Sequence, residues 1–132
     1  MQTSAEQLVR EIVAVNHAWK AARELFGDDS PLSTSTRDLK TCLQVRLLRE
    51  HAPDEVYLVK DSVVSNELGE EIYSLKLRNK VGDRLYAEHL PVRVAKEFLT
   101  EQELRKLTKV ININQKGCYM DILNGNNKIK QI

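Results

Sequence analysis

The sequence predicts an α+β domain: an N-terminal helical pair packed on a small antiparallel β-meander, followed by short helices and a C-terminal hairpin. Three observations carry this expectation. Apolar residues recur every three or four positions from residue 8 to about residue 48. From Glu55 the period drops to two, and β-branched and aromatic residues become frequent. Polar stretches at 66–70 and 79–83, each holding a glycine, then divide that region into three short strands.

The first helix spans 4–26, where Leu8, Ile12, Val15, Trp19, Ala22 and Phe26 fall on one stripe. Thr3 and Ser4 are N-cap residues, with Glu6 and Gln7 in capping-box position, and Gly27 stops the helix. After a turn at 28–31, caps within 33–36 open a second helix that runs to about residue 52, ahead of Pro53. On that helix Leu39, Leu43 and Leu47 lie together, while Val45 and Leu48 point elsewhere. Cys42, between Leu39 and Leu43, reads as a small buried residue. His51 sits where a cation favours the negative end of the helix dipole. Strands are expected at 56–59, 72–77 and 84–90, closed by Pro91. A short helix at 92–99 follows, and Thr100-Glu101-Gln102-Glu103 caps another. Residues 110–113 and 118–123 form the last hairpin, so 1–123 is expected to be a single domain and 124–132 a flexible polar tail.

With 132 residues, 42% of them hydrophobic and 30% charged, the chain suits one core, and collagen-like, low-complexity and wholly disordered classes are excluded. A net charge of +1 provides no overall field for polyanions or anionic lipid. The longest apolar runs, 12–15 and 56–59, have four residues and fall far short of a membrane span. The N-terminal residues lack the pattern of a secretory leader, and Cys42 and Cys118 are isolated, so a cytoplasmic location with reduced thiols is expected.

Much chemistry is missing from the sequence. The five glycines stand apart, so no Gly-x-Gly phosphate cradle exists. Cysteines and histidines do not cluster at metal-ligand spacings. The acidic pairs Asp28-Asp29, Asp54-Glu55 and Glu70-Glu71 fall at turns and read as solvated charge. No catalytic residue, metal ligand or cofactor site is therefore expected.

Two surfaces remain. The first expectation is a small non-catalytic regulatory or adaptor protein that binds another protein or itself as a homodimer. Its interface would be Leu8, Ile12, Val15, Trp19 and Phe26, apolar area beyond what one core consumes. The alternative is nucleic-acid binding through Lys76, Arg78, Lys80, Arg84 and Tyr86. Alternation places Ser74, Lys76, Arg78 and Lys80 opposite Tyr73, Leu75 and Leu77. With Leu85 and Ala87 facing the core, Arg84, Tyr86 and Glu88 join the basic face. A second alternative is a small cysteine-dependent enzyme in which Cys42 or Cys118 meets a histidine.

Overall fold

The computed structural model describes residues 3–65 and 69–109. In chain order they form α1 (Ala5–Phe26), α2 (Pro31–His51), β1 (Val56–Ser65), β2 (Glu71–Val81), β3 (Arg84–Pro91), α3 (Val92–Phe98) and α4 (Glu101–Leu107). The strands make one antiparallel sheet in the order β1-β2-β3. This is the α+β meander that the sequence pattern predicts. The hairpin expected at 110–113 and 118–123 and the tail at 124–132 lie outside the described residues.

Local chemistry sets the helix ends. The Ser4 hydroxyl accepts the Gln7 N–H at 3.1 Å to start α1. Gly27, at φ 90°, ends it and donates its N–H to the Arg23 carbonyl at 2.8 Å. Helix α2 opens earlier than the caps at 33–36 suggest, because Ser30 is its N-cap and Pro31 fills the first helical position. A proline there forfeits nothing, since that N–H has no partner in the helix. Ser33 becomes a buried tie instead, donating its hydroxyl to the Gly27 carbonyl at 2.7 Å. The capping box of α4 forms as the sequence implies, between Thr100 and Glu103.

Register explains the core. Val56 faces Leu77, Leu58 faces Leu75 and Tyr73 faces Leu90 across the strands. These residues point to one side and join Leu8, Val9 and Ile12 of α1, Val45, Leu47 and Leu48 of α2, Val92 and Ala95 of α3, and Leu104 and Leu107 of α4 in a single cluster. All four helices thus feed the core on the same face of the sheet. Fully burying each Leu or Ile stabilises the fold by roughly 1.5–3 kcal/mol. The strands run further than the apolar pattern alone suggests, since pairing carries β1 to Ser65 and β2 to Val81. Only Gly82 and Asp83 separate β2 from β3, and the φ of 61° at Gly82 is what a two-residue hairpin loop demands of its first position.

The second half of β3 departs from simple alternation. Lys76 pairs with Tyr86 and Ser74 with His89, so two steps along β2 match three along β3. The extra residue is accommodated as a bulge, with Glu88 at φ 64°, a left-handed conformation unusual for a side chain of this size. Gln44 on α2 holds the bulge from the core side. Its Nε2 donates to the carbonyls of Ala87 at 3.2 Å and His89 at 3.1 Å, and the side chain is completely buried.

The helix faces are rotated from the expected stripe. Leu8, Val9, Ile12, Asn16 and Ala22 are the buried residues of α1, leaving Val15 and Trp19 half-buried and Phe26 exposed. On α2 the buried line passes through Lys40, Thr41, Gln44, Val45, Leu47 and Leu48. Leu39 and Cys42 consequently face outward, which corrects the reading of Cys42 as a core residue.

Truncating the amide that braces the bulge tests this account. Gln44→Ala should lower the unfolding free energy by about 2–3 kcal/mol, because two carbonyls lose a buried donor. Urea denaturation measures it, and a loss below about 0.5 kcal/mol would mean that the bulge supports itself.

Candidate functional site

Helix length creates the first candidate surface. With 22 and 21 residues, α1 and α2 are each roughly 30 Å long, whereas three strands span only about 10 Å between the outermost axes. The helices run across the strands. His51 ends α2 just before β1, Gln44 lies on β3, and Lys40 lies near Glu88 of β3. The nine residues of α2 before Lys40 and the facing end of α1 therefore extend beyond the sheet edge. Ala22 and Ser33 are the buried residues of this overhang, and Leu25, Phe26, Leu32 and Leu39 stand exposed on it.

The structure separates the five residues expected at a protein interface. Leu8 and Ile12 belong to the chain's own core, at 2% and 0% exposure, so they are withdrawn from any external contact. Trp19 is occupied internally, with the Lys40 ammonium 4.5 Å and the Arg23 guanidinium 4.8 Å from its ring centroid. Val15 is half-buried, and only Phe26 stands free. The burial of Leu8 and Ile12 has a simple cause: this half of α1 lies over the sheet. Leu25, Leu32 and Leu39 are interface candidates that the α1 stripe omits, because the exposed patch is shared by two helices and follows the periodicity of neither.

Where the hairpin leaves the sheet, Lys40 is the most buried cation described. It donates to Asn16 Oδ1 at 3.0 Å, and both side chains are buried. Burial pushes the Lys40 ammonium down from 10.5 to about 8; the charge of Glu88 opposes this, while Lys20 and Arg23 reinforce it. The nearby concavity, lined by Lys20, Arg23, Glu24 and Asp28, is an open notch.

The second surface is the side of the sheet turned away from the core cluster. Two cross-strand rows lie on it, Tyr57–Lys76–Tyr86 and Val59–Ser74–His89. Arg78 stacks over Tyr57 at 4.6 Å, the Lys109 ammonium lies 5.2 Å from the same ring, and Arg84 stacks over Tyr86 at 4.7 Å. Tyr86 and His89 have ring centroids 5.4 Å apart, and Ser74 Oγ lies 3.1 Å from His89 Nδ1. Of the five residues expected at a nucleic-acid surface, Lys76, Arg78, Arg84 and Tyr86 meet here, and Lys80 is exposed further along β2. Tyr57 and Lys109 complete the group. The sequence separates them by 52 positions, and only the turn of chain after α4, with the Lys109 N–H donating to the Leu58 carbonyl at 2.8 Å, brings them together. Two placements differ from expectation. Leu85 is 52% exposed because it lies at the turn end of the β2–β3 hairpin, while Ala87 is buried. Glu88 leaves the alternation at the bulge, and its largely buried carboxylate pairs with Arg84 at 2.6 Å.

The remaining polar residues brace the fold. His51 Nε2 donates to the Thr3 carbonyl at 2.7 Å and its Nδ1 faces Glu55 at 2.8 Å, joining the ends of α1 and α2. Cys42 is exposed and makes no hydrogen bond to a histidine among the described residues, and Cys118 lies outside them. Ser74 beside His89 is 3% exposed, which leaves no room for a substrate at its hydroxyl. Among the described residues no group of three His, Cys, Asp or Glu side chains is placed to hold a metal ion. No helix among them is long and apolar enough to cross a membrane. No family model, curated protein or solved structure matches the chain.

Because the folded chain releases the Lys40 proton near pH 8 and the unfolded chain holds it to about 10.5, stability should rise with pH across that window. The difference corresponds to at most about 3 kcal/mol. Denaturant titrations from pH 7.5 to 10.5 should show this rise in the natural chain and its loss in Lys40→Met. Parallel pH profiles for the two proteins would assign Lys40 an ordinary pKa.

Proposed function

We propose that this chain is a small, non-catalytic regulatory or adaptor protein of the cytoplasm that binds protein through the projecting end of the α1–α2 hairpin, forming a homodimer. The observation that carries this reading is the overhang. Leu25, Phe26, Leu32 and Leu39 are 72%, 62%, 53% and 50% exposed, and they account for four of the six large apolar residues standing exposed among those described. Scattered exposed leucines are ordinary, but a concentration at one end of a two-helix projection marks a contact surface.

Self-association suits the shape. Two such projections related by a two-fold axis would pack helix against helix and bury the same patch on each copy. Leu32 and Leu39 are seven residues apart and lie on one side of α2, the spacing of an interhelical seam. The ion pairs of half-buried Arg23 with exposed Asp28 and of exposed Arg37 with Asp38 flank the patch, where rim charge governs orientation and encounter more than affinity. The fold continues to hold without a partner, because the core cluster lies on the sheet side of both helices.

Molar mass in solution tests this reading. Light scattering should give twice 15.2 kDa at high micromolar protein. The double variant Phe26→Glu/Leu32→Glu should return one chain mass with an unchanged far-ultraviolet circular dichroism spectrum. A natural chain that stays monomeric throughout the concentration series would end the homodimer reading.

A further inference from the structure

We propose that the open face of the sheet is a binding platform for single-stranded nucleic acid, with Tyr57 and Tyr86 stacking unpaired bases while Lys76, Arg78 and Lys109 take the phosphates. The row Tyr57–Lys76–Tyr86 crosses all three strands in register, so the two tyrosines are rooted two strand spacings apart, about 10 Å, with Lys76 on the strand between them. Cations already lie against both rings, Arg78 and Lys109 at Tyr57 and Arg84 at Tyr86. A guanidinium plane stacked on a ring is itself a surface on which a base stacks, so each tyrosine–arginine pair is a composite platform.

Charge and geometry favour this occupant over others. Arg84 is paired with Glu88, whereas Lys76, Arg78 and Lys109 form no ion pair among the described residues. The nearest acid of the adjoining segment, Glu55, is engaged by His51. The patch is therefore cationic on a chain whose net charge is only +1, and it attracts a polyanion locally. Half-buried rings spaced across a sheet do nothing for a duplex, whose bases are stacked on one another. They serve unpaired bases, which offer a π face irrespective of sequence. A globular protein partner would use apolar area, and this face has its apolar members, Ile72 and Val59, buried or half-buried.

The bulge belongs to the same device. Without the extra residue at Glu88, alternation from Tyr86 would turn His89 toward the core; with it, His89 stands on the open face beside Tyr86, braced by Ser74. Gln44, on the opposite side of the sheet, is thus a positioning residue for this surface.

Fluorescence anisotropy with a labelled 12-nucleotide oligo(U) tests the proposal on the full chain. Binding should weaken with salt along a log–log slope of about −2, as three neutralised phosphates on a single strand require. Tyr57→Leu and Tyr86→Leu, which keep an apolar side chain on the strand, should each weaken binding roughly 5- to 150-fold at constant salt slope. Lys76→Gln should weaken it and make the slope shallower. Spectra and thermal unfolding matched to the natural chain establish that each variant is folded. The proposal is overturned if oligo(U) fails to bind at 20 mM salt, if both tyrosine variants bind like the natural chain, or if heparin or a duplex of equal charge competes as well as oligo(U). Repeating the titration with Phe26→Glu/Leu32→Glu keeps the two surfaces apart, since that monomer should retain binding whatever becomes of the dimer.

Discussion

Two helices about three times as long as their supporting sheet is wide impose most of what distinguishes this molecule. A three-stranded meander offers one face to cover, and α1 and α2 cover it by lying across the strands. The half of the hairpin over the sheet supplies Leu8, Val9, Ile12, Leu47 and Leu48 to the core. Among the described residues the other half has only its own partner helix to pack against, so Ala22 and Ser33 fill the seam while larger side chains point outward. Helix-on-helix contact at that end needs small residues and short ties, and the Ser33 bond to the Gly27 carbonyl is such a tie.

Polar groups in the interior mark the places where this geometry changes. Gln44 sits where α2 reaches β3, satisfying carbonyls that the bulge turns away from the ladder. Lys40, one turn earlier, lies where the sheet ends, held by Asn16 and by the Trp19 ring. A cation in that position is costly to desolvate, and its neighbours offset only part of the cost. Both residues stand in a line with the apolar positions of α2. They occupy core positions in periodicity, yet their chemistry answers to the sheet edge.

The same one-sided layering gives the molecule two unlike surfaces. Beyond the edge, apolar side chains are unburied because, among the described residues, no strand lies beneath them. On the far face of the sheet, tyrosines and cations are paired with one another, Arg78 with Tyr57 across neighbouring strands and Arg84 with Tyr86 along β3, and among the described residues no helix packs over them. Association through the first surface would be driven by apolar area and through the second by charge and stacking, so the two respond oppositely to salt. They are also physically independent, one set by helix length and the other by strand register and the bulge.

Period, caps and turn residues in the sequence determined the element types and their order, because these signals are local: the alternation at 72–77, the capping box at Thr100 and the stop at Gly27 each act within a few residues of themselves. They also placed Lys76, Arg78, Arg84 and Tyr86 on a common face, since strand alternation needs no knowledge of the neighbours. Tertiary structure decided the rest. Which side of α1 is buried depends on where the sheet ends, so Leu8 and Ile12 went inside while Phe26 on the same stripe stayed out. The inward line of α2 depends on its crossing angle, so Gln44 and Lys40 were buried and Leu39 and Cys42 were not. Tyr57 and Lys109 met because the chain returns along β1 after α4, and His89 joined Tyr86 because of one bulged residue. None of these has a local signal, for each is fixed by contacts between segments that the sequence keeps far apart.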